Sequence, residues 1–387
     1  GLLVDAIKIS DTEFAGGGVP EPTVEEHTLL LDTFAEFDGD SKTVPQKCAI
    51  VDGAKQVGIL DTRVTKQPGS LGTQLDFRAE PQVRSRLDVL AERGIDIVQI
   101  HEIWTETEGY PMTNVYGERL RSFVKGAHDA GLKVIVYLGC EIGDNCEEYR
   151  LYKDEIVVEP WVEGNGHKRQ PAQVAYDCAY TRQWQNFMLY YLKALIEEYD
   201  IDGFYLDGSF HTYRDMNQYH GAGYVDRDGL LRPSYQIWEI RQWMRRMRTM
   251  AESVKPGFWI DMHDSSAIFT PTNSFGDSIW NGEQYVPVMS AWNTTLRGCL
   301  RPDTFRASFI GTQYGLPSDF LAYANYDEAD AIALVHAIPV RNQESRPAAE
   351  AIAQFAKAGA EFFPYYEADH PLHVEGGEDV AASFYRR

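Results

Sequence analysis

Basic residues are scarce in this 387-residue chain: 36 Lys and Arg stand against 58 Asp and Glu, a formal net charge of −22. Nucleic acids and anionic membrane surfaces bind positive faces, so neither is an expected partner. Cysteines are scarce too. The five of them (Cys48, Cys140, Cys146, Cys178, Cys299) are too scattered for a disulfide framework, and none forms the CxxC spacing of a structural zinc site. They read as buried small apolar groups, with pairing of Cys140 and Cys146 in an oxidising compartment as the minor alternative. No apolar run approaches the ~18 residues a membrane span needs. The opening GLLVDAIKIS has no basic region followed by a long apolar stretch, although a start on Gly rather than Met allows for a removed leader. Nucleotide cradles are missing as well: no GxGxxG follows an early strand and there is no GxxxxGK, which removes the usual evidence for nucleotide-binding α/β folds.

What is present is a globular composition, 44% hydrophobic and 24% charged, sufficient for a large core. Residues 1–78 hold short extended pieces punctuated by AGGG at 15–18, Pro20, Pro22, DGD at 38–40, DG at 52–53 and QPG at 67–69, a β-rich lead-in. From Glu80 the texture changes. Pro81 opens a helix with Val83, Leu87, Leu90 and Ala91 on one face, Gly94 ends it, and IDIVQIHEIW follows as a strand. Leu120, Phe123, Val124 and Ala127 line the next helix, closed by Gly131 before LKVIVYLG; Trp184 to Ile196 line a third, before IDGFYLDG. Ser234 caps a long helix through Val254, Pro256-Gly257 ends it, and FWIDMH and DSIWNGE read as further strands, with helices at 327–338 and 347–358. Strands alternating with helices and no hairpin signal between them imply parallel βαβ units. The expected fold class is therefore α/β: a (β/α)8 TIM-type barrel over 79–360, with residues 361–387 as a C-terminal β segment that breaks off.

Strand parity sorts the polar groups, because successive side chains face opposite sides. In GFYLDG, Phe204 and Leu206 face the helices while Tyr205 and Asp207 face the lumen. In KVIVYLGCE, Ile135, Tyr137, Gly139 and Glu141 face inward; in FWIDMH, Asp261 and His263 share the face of Trp259. Polar groups thus gather at the C-terminal ends of strands, where barrel chemistry is built. His101 and Glu102, adjacent in sequence, are both expected near the rim. Trp104, Trp280 and Trp292 are candidates to stack on the apolar faces of sugars. A strand-end Asp also serves as a helix cap or turn anchor, and adjacent His263 and Asp264 also form purely structural networks.

The series GIDIVQIHEIW, GLKVIVYLGCEIG, YDIDGFYLDGS, GFWIDMHDSS and DSIWNGEQY resembles successive strands of retaining glycoside hydrolase barrels of the α-galactosidase clan, and in flavour the uncharacterised relatives near glycoside hydrolase family 123. The resemblance runs from about residue 80 to 325. It implies that ILDTRVT at 59–65 supplies the first barrel strand, GLKVIVYLG the third, GFYLDG the fourth and DSIWNGE the sixth. It also implies Asp207 as nucleophile and Glu283 as acid/base; from their places at the strand ends and mouth, His101, Glu102, Trp104, Glu141, Tyr205, Asp261, His263, Asp264, Trp280 and Gln284 are expected around the substrate. The chain departs from the clan in having Tyr205 where a lysine is usual and Glu283 where the acid/base is usually Asp. It also lacks the Asp-Glu dyad of family 123. The implied function is cleavage of an oligo- or polysaccharide by a carboxylate pair, with no cofactor and no metal, at a secreted or periplasmic address. Two other readings stand beside it: a metal-dependent hydrolase or deacetylase using His101, Asp207, Asp261 and His263, and a barrel that binds glycans without cleaving them.

Overall fold

A computed structural model describes residues 6–10, 28–33, 57–60, 87–101, 104–160, 173–211, 213–265, 269–310, 316–321, 326–341, 347–372, 375 and 380–386. The chain divides into two compact units, Gly1–Lys47 and Cys48–Arg387. In the first, Ala6–Ser10 pairs antiparallel with Thr28–Thr33. The main sheet of the second, among the described residues, has eight strands: β1 (Val57–Leu60), β2 (Ile97–Ile100), β3 (Lys133–Gly139), β4 (Gly203–Asp207), β5 (Trp259–His263), β6 (Ser278–Asn281), β7 (Ser318–Leu321) and β8 (Val340–Arg341). All are parallel and hydrogen-bonded in chain order. The two ends of the sheet, β1 and β8, come within 8 Å of each other between Cα atoms, which curls the sheet into a barrel. The third, fourth and sixth strands are the segments the sequence assigns to those places.

The helices form where the apolar spacing asks for them. In α1 (Gly117–Asp129), Leu120, Phe123, Val124 and Ala127 are buried at i, i+3, i+4 and i+7. In α2 (Arg182–Tyr199), Trp184, Met188, Leu192, Leu195 and Ile196 make the same stripe; the Thr181 hydroxyl accepts from Trp184 N at its start, and Asp200 ends it in the left-handed conformation. In α3 (Ile237–Val254), Ile240, Trp243, Met244, Met247 and Ala251 are buried. Each such side chain contributes about 1.5–3 kcal/mol relative to exposure. The start of α3 corrects one expectation. Its N-cap position is Gln236 with no side-chain cap bond, and Ser234 belongs to a short strand with Tyr235, its hydroxyl accepting from Gly223 N at 2.8 Å. The two-residue pairing of Ser234–Tyr235 with Arg214–Asp215 outcompetes a capped extra turn. Helix is described from residue 87; the expected start at Pro81 lies outside the described residues.

The later helices run Tyr326–Leu334 and Pro347–Lys357, and Glu361–Phe363 pairs antiparallel with Phe384–Arg386. The described cysteines are free: Cys140 and Cys146 do not pair, and the Cys146 sulfur instead caps the helix Glu147–Ile156 by accepting from Tyr149 N. Among the described residues no helix is long and apolar enough to cross a membrane.

One buried ion pair ties α3 to the barrel wall. Arg248, 2% exposed, donates to the carbonyls of Phe275 and Phe258, both at 2.9 Å, and pairs with Asp277, whose Oδ2 also accepts from Ile260 N at 2.8 Å. Without Asp277 the buried guanidinium is left with the two carbonyls and the more exposed Glu252 Oε1 at 3.3 Å, and loses most of its compensation in the interior. Asp277→Ala is therefore expected to lower the unfolding free energy by about 3–5 kcal/mol in urea titrations, and a loss below about 1 kcal/mol would show the pair to be solvated.

Candidate active site

The barrel lumen is filled in layers. A polar layer holds Trp259 Nε1, which donates to Ser278 Oγ at 2.9 Å, and Asp261 Oδ1, which accepts from the same hydroxyl at 2.5 Å. Above it five rings from five successive strands or strand ends meet: His101, Tyr137, Tyr205, His263 and Trp280, with centroid separations of 4.8 Å (His101–Tyr137), 5.7 Å (Tyr137–Tyr205), 5.9 Å (Tyr205–His263) and 5.7 Å (His263–Trp280). This is the layered interior of a packed barrel. The expected parity of β3, β4 and β5 is what puts these rings inside.

The mouth lies above that floor. Asp207 ends β4, its side chain 35% exposed, with Oδ1 at 3.1 Å from His263 Nδ1 and Oδ2 accepting from Tyr137 Oη at 3.1 Å. The other imidazole nitrogen, Nε2, lies 3.0 Å from Glu283 Oε2 and hydrogen-bonds to Ser265 Oγ at 2.6 Å. One ring therefore stands between two carboxylates. Burial alone would lower the His263 pKa, but Asp207 and then Glu283 overcome it and hold the group up to about 10. In return, burial would raise the Asp207 pKa, and His263, His101 and the Tyr137 hydroxyl bring it below the usual carboxylate range.

A third carboxyl crowds the same spot. Glu141 follows β3 and hangs over Gly139, the residue directly opposite Asp207 in the ladder; a Cβ on Gly139 would lie 2.6 Å from Glu141 Oε2. Burial first, then Glu108, Asp207 and Asp177, push the Glu141 carboxyl up to about 8. Asp177, brought alongside by the antiparallel pairing of Glu141–Gly143 with Ala175–Asp177, is raised by burial to about 6. Gly208, just beyond Asp207, has φ +74°, and a Cβ there would meet Tyr213 Oη at 2.5 Å and Cys140 Sγ at 2.9 Å, so only glycine lets the chain turn under this cluster.

Several expected site residues are placed otherwise. Trp104 and Trp280 are each 1% exposed and present no face to a sugar; Trp104 is locked by Nε1 donating to Tyr137 O at 2.7 Å, and Trp280 belongs to the lumen floor. Tyr205 (1% exposed) and His101 are buried in the same ring layer, and Asp261 lies a layer deeper, bonded to Ser278. Asp264 is buried and accepts from Asn273 Nδ2 at 2.8 Å, which makes it a structural anchor. Gln284 folds back on its own turn, accepting from Gly282 N at 3.1 Å and donating to Asn281 Oδ1 at 2.8 Å. Trp292 is exposed. Glu102 lies outside the described residues. The proposed metal set of His101, Asp207, Asp261 and His263 is not gathered. Among the described residues the group of three whose ligand atoms all come within 4.8 Å of one another is Cys140, Glu141 and Asp177. Two of them are already engaged: Cys140 Sγ donates to Asp177 Oδ1 at 3.7 Å and accepts from Tyr213 Oη at 3.1 Å.

Tyr137, Ser265, Asp177 and Tyr213 also border this site and are not among the residues the sequence singles out for it. Alternation already turned Tyr137 inward, and its hydroxyl could have been matched to Asp207 on the neighbouring strand. Asp177 and Tyr213 come from connections whose path no periodicity reveals.

Solved structures with the same barrel include an α-amylase of Geobacillus thermoleovorans complexed with acarbose, at 12% identity and TM-score 0.52 over 86% of this chain and 84% of that one. A noncanonic maltogenic α-amylase of Thermotoga neapolitana gives 13% and 0.51 over 86% and 83%. A GH36 α-galactosidase of Geobacillus stearothermophilus in complex with stachyose gives 13% and 0.52 over 79% of this chain, which spans 42% of that one. No family model matches the chain, and no curated protein matches it in sequence. At these identities the likeness establishes the (β/α)8 barrel fold.

The raised His263 pKa makes stability depend on pH with a definite sign. The folded state binds the proton more tightly, so the contribution is complete below about 6.5, the ordinary histidine value, and is lost as pH rises towards about 10. The unfolding free energy of the wild type is expected to fall relative to His263→Gln across that window, with a slope of at most about 1.4 kcal/mol per pH unit. Parallel curves for the two proteins would contradict a charged imidazole.

Proposed function

We propose that this chain is a glycoside hydrolase that cleaves an oligo- or polysaccharide with Asp207 as its ionised carboxylate and Glu283 as its proton donor and acceptor. The observation that carries the reading is the His263 bridge, which holds two partly exposed carboxylates at the C-terminal mouth of a parallel barrel, separated by no more than one ring and two contacts of 3.1 and 3.0 Å. Glycosidic cleavage needs an ionised carboxylate facing the oxocarbenium-like centre and a second carboxyl that protonates the leaving oxygen, at separations of roughly 5–9.5 Å. Retaining chemistry follows if Asp207 attacks the anomeric carbon: a C–O bond to Asp207 forms as the bond to the leaving oxygen breaks, that oxygen takes the proton of Glu283, and water deprotonated by Glu283 then releases the sugar. A neutral substrate suits the acidic chain, and the barrel neighbours whose names specify α-amylase and α-galactosidase support the class of bond.

A second assignment of the proton donor rests on Glu141. Burial and its carboxylate neighbours keep it protonated at neutral pH beside an ionised Asp207, the divergence expected of an acid and its partner. Separate replacement decides between them. Asp207→Asn is expected to lower kcat by at least about 10³-fold on glycan substrates, and Glu283→Gln by about 10²–10⁴-fold, less on aryl glycosides whose leaving group needs no proton. If the large, leaving-group-dependent loss appears in Glu141→Gln and not in Glu283→Gln, the acid/base role moves to Glu141. Wild-type rates in Asp207→Asn would remove the carboxylate-pair mechanism altogether.

A further inference from the structure

A concave surface separate from the mouth lies between the connections that follow β3 and β4. Its volume is about 760 Å³, within the range of small-ligand pockets. Its walls are the first turns of α2 and α3, Glu155, and the β4 connection from Tyr219 to Gln236; Asp207, Glu141, His263 and Glu283 take no part in it.

Three aromatic side chains of the lining remain in water: Tyr219 (68% exposed), Tyr235 (54%) and Trp238 (44%). Rings of this size are normally buried, and leaving three of them around a polar hollow forgoes several kcal/mol of burial, about 1.5–3 kcal/mol for a large apolar side chain. The rest of the lining is suited to hydroxyls: Thr181, Gln183, Ser234 and Gln236, with Arg182 offset by Glu155 and Glu239, so no positive excess selects an anion. Aromatic rings for C–H faces together with uncharged donors and acceptors for hydroxyls match a neutral sugar chain.

The floor of the hollow is held rigid. Asp215, fully buried, accepts from Glu159 N (3.1 Å), Asn217 N (2.9 Å), His220 Nε2 (2.6 Å) and Gln236 Nε2 (2.5 Å). Gln236 also accepts from Tyr180 N at 3.1 Å. A site fixed before the ligand arrives loses little in ordering itself.

We propose that this hollow is a second carbohydrate site, gripping a stretch of neutral oligosaccharide through Tyr219, Tyr235 and Trp238 outside the catalytic mouth. The choice of ligand class rests on the glycoside hydrolase reading. Native gels cast with soluble starch, galactomannan or mixed-linkage β-glucan test it. The wild type is expected to be slowed in at least one of these gels. Tyr235→Ala/Trp238→Ala is expected to show at least ten-fold weaker retention there, with its melting temperature checked separately, while Glu283→Gln stays retained. Should the double variant not fold, Tyr219→Ser, at the most exposed ring, takes its place. Unchanged retention in the folded cleft variant, or no retention of the wild type by any of the three polysaccharides, overturns the proposal. Cleft-dependent retention without release of reducing ends by the wild type would leave the second site standing and remove the catalytic reading; turnover without retention does the reverse.

Discussion

The placement of one imidazole organises the mouth. His263 is buried against Tyr205 and Trp280, yet both of its nitrogens reach carboxylates on different strands or their extensions. A charged ring in that position is tolerable because the ionised Asp207 stands against one nitrogen and Glu283 against the other, and Asp207 stays ionised there because the ring is charged. Neither half is stable alone. The same arrangement explains why Asp207 stays ionised while Glu141, whose charged neighbours are the carboxylates of Glu108, Asp207 and Asp177, is pushed towards its neutral form. Electrostatic contrast between neighbouring carboxyls is the resource on which any acid–base chemistry here must draw.

The barrel was legible because its signals are local and repeated. Apolar stripes at helical spacing, glycine stops and inward-facing polar residues at strand ends gave the strand order, and parity placed Tyr137, Tyr205, Asp207, Asp261 and His263 on the lumen side. Parity does not give depth. Asp261 and His263 share a face but lie in successive layers, so one hydrogen-bonds within the core while the other reaches the mouth. Depth also decided the fate of Trp104 and Trp280, which resemble sugar platforms in sequence and are packing residues in space. Glu283 sits just past the last residue of β6, where alternation no longer constrains direction, and its approach to His263 had no signature in the chain.

What remained unreadable lies in the connections after β3 and β4. Their elements are two or three residues long, as in Arg214–Asp215 with Ser234–Tyr235 and Glu141–Gly143 with Ala175–Asp177. Pairings that short carry no periodic pattern, and they are specified instead by side-chain anchors such as Asp215 and Asn217, whose partners lie up to 63 residues away. The misplaced Ser234 cap is an instance: a serine before an apolar run is a good local signal, and a distant strand partner overrode it.

The Asp215 carboxylate has a wider consequence. It binds the backbone at Glu159 on one connection and side chains at His220 and Gln236 on the other, so two excursions from separate βα units are knotted through a single buried group. Lengthening or shortening either excursion would drag its neighbour along. A change in the length of one excursion is therefore felt at the other unless it spares the residues bonded to Asp215.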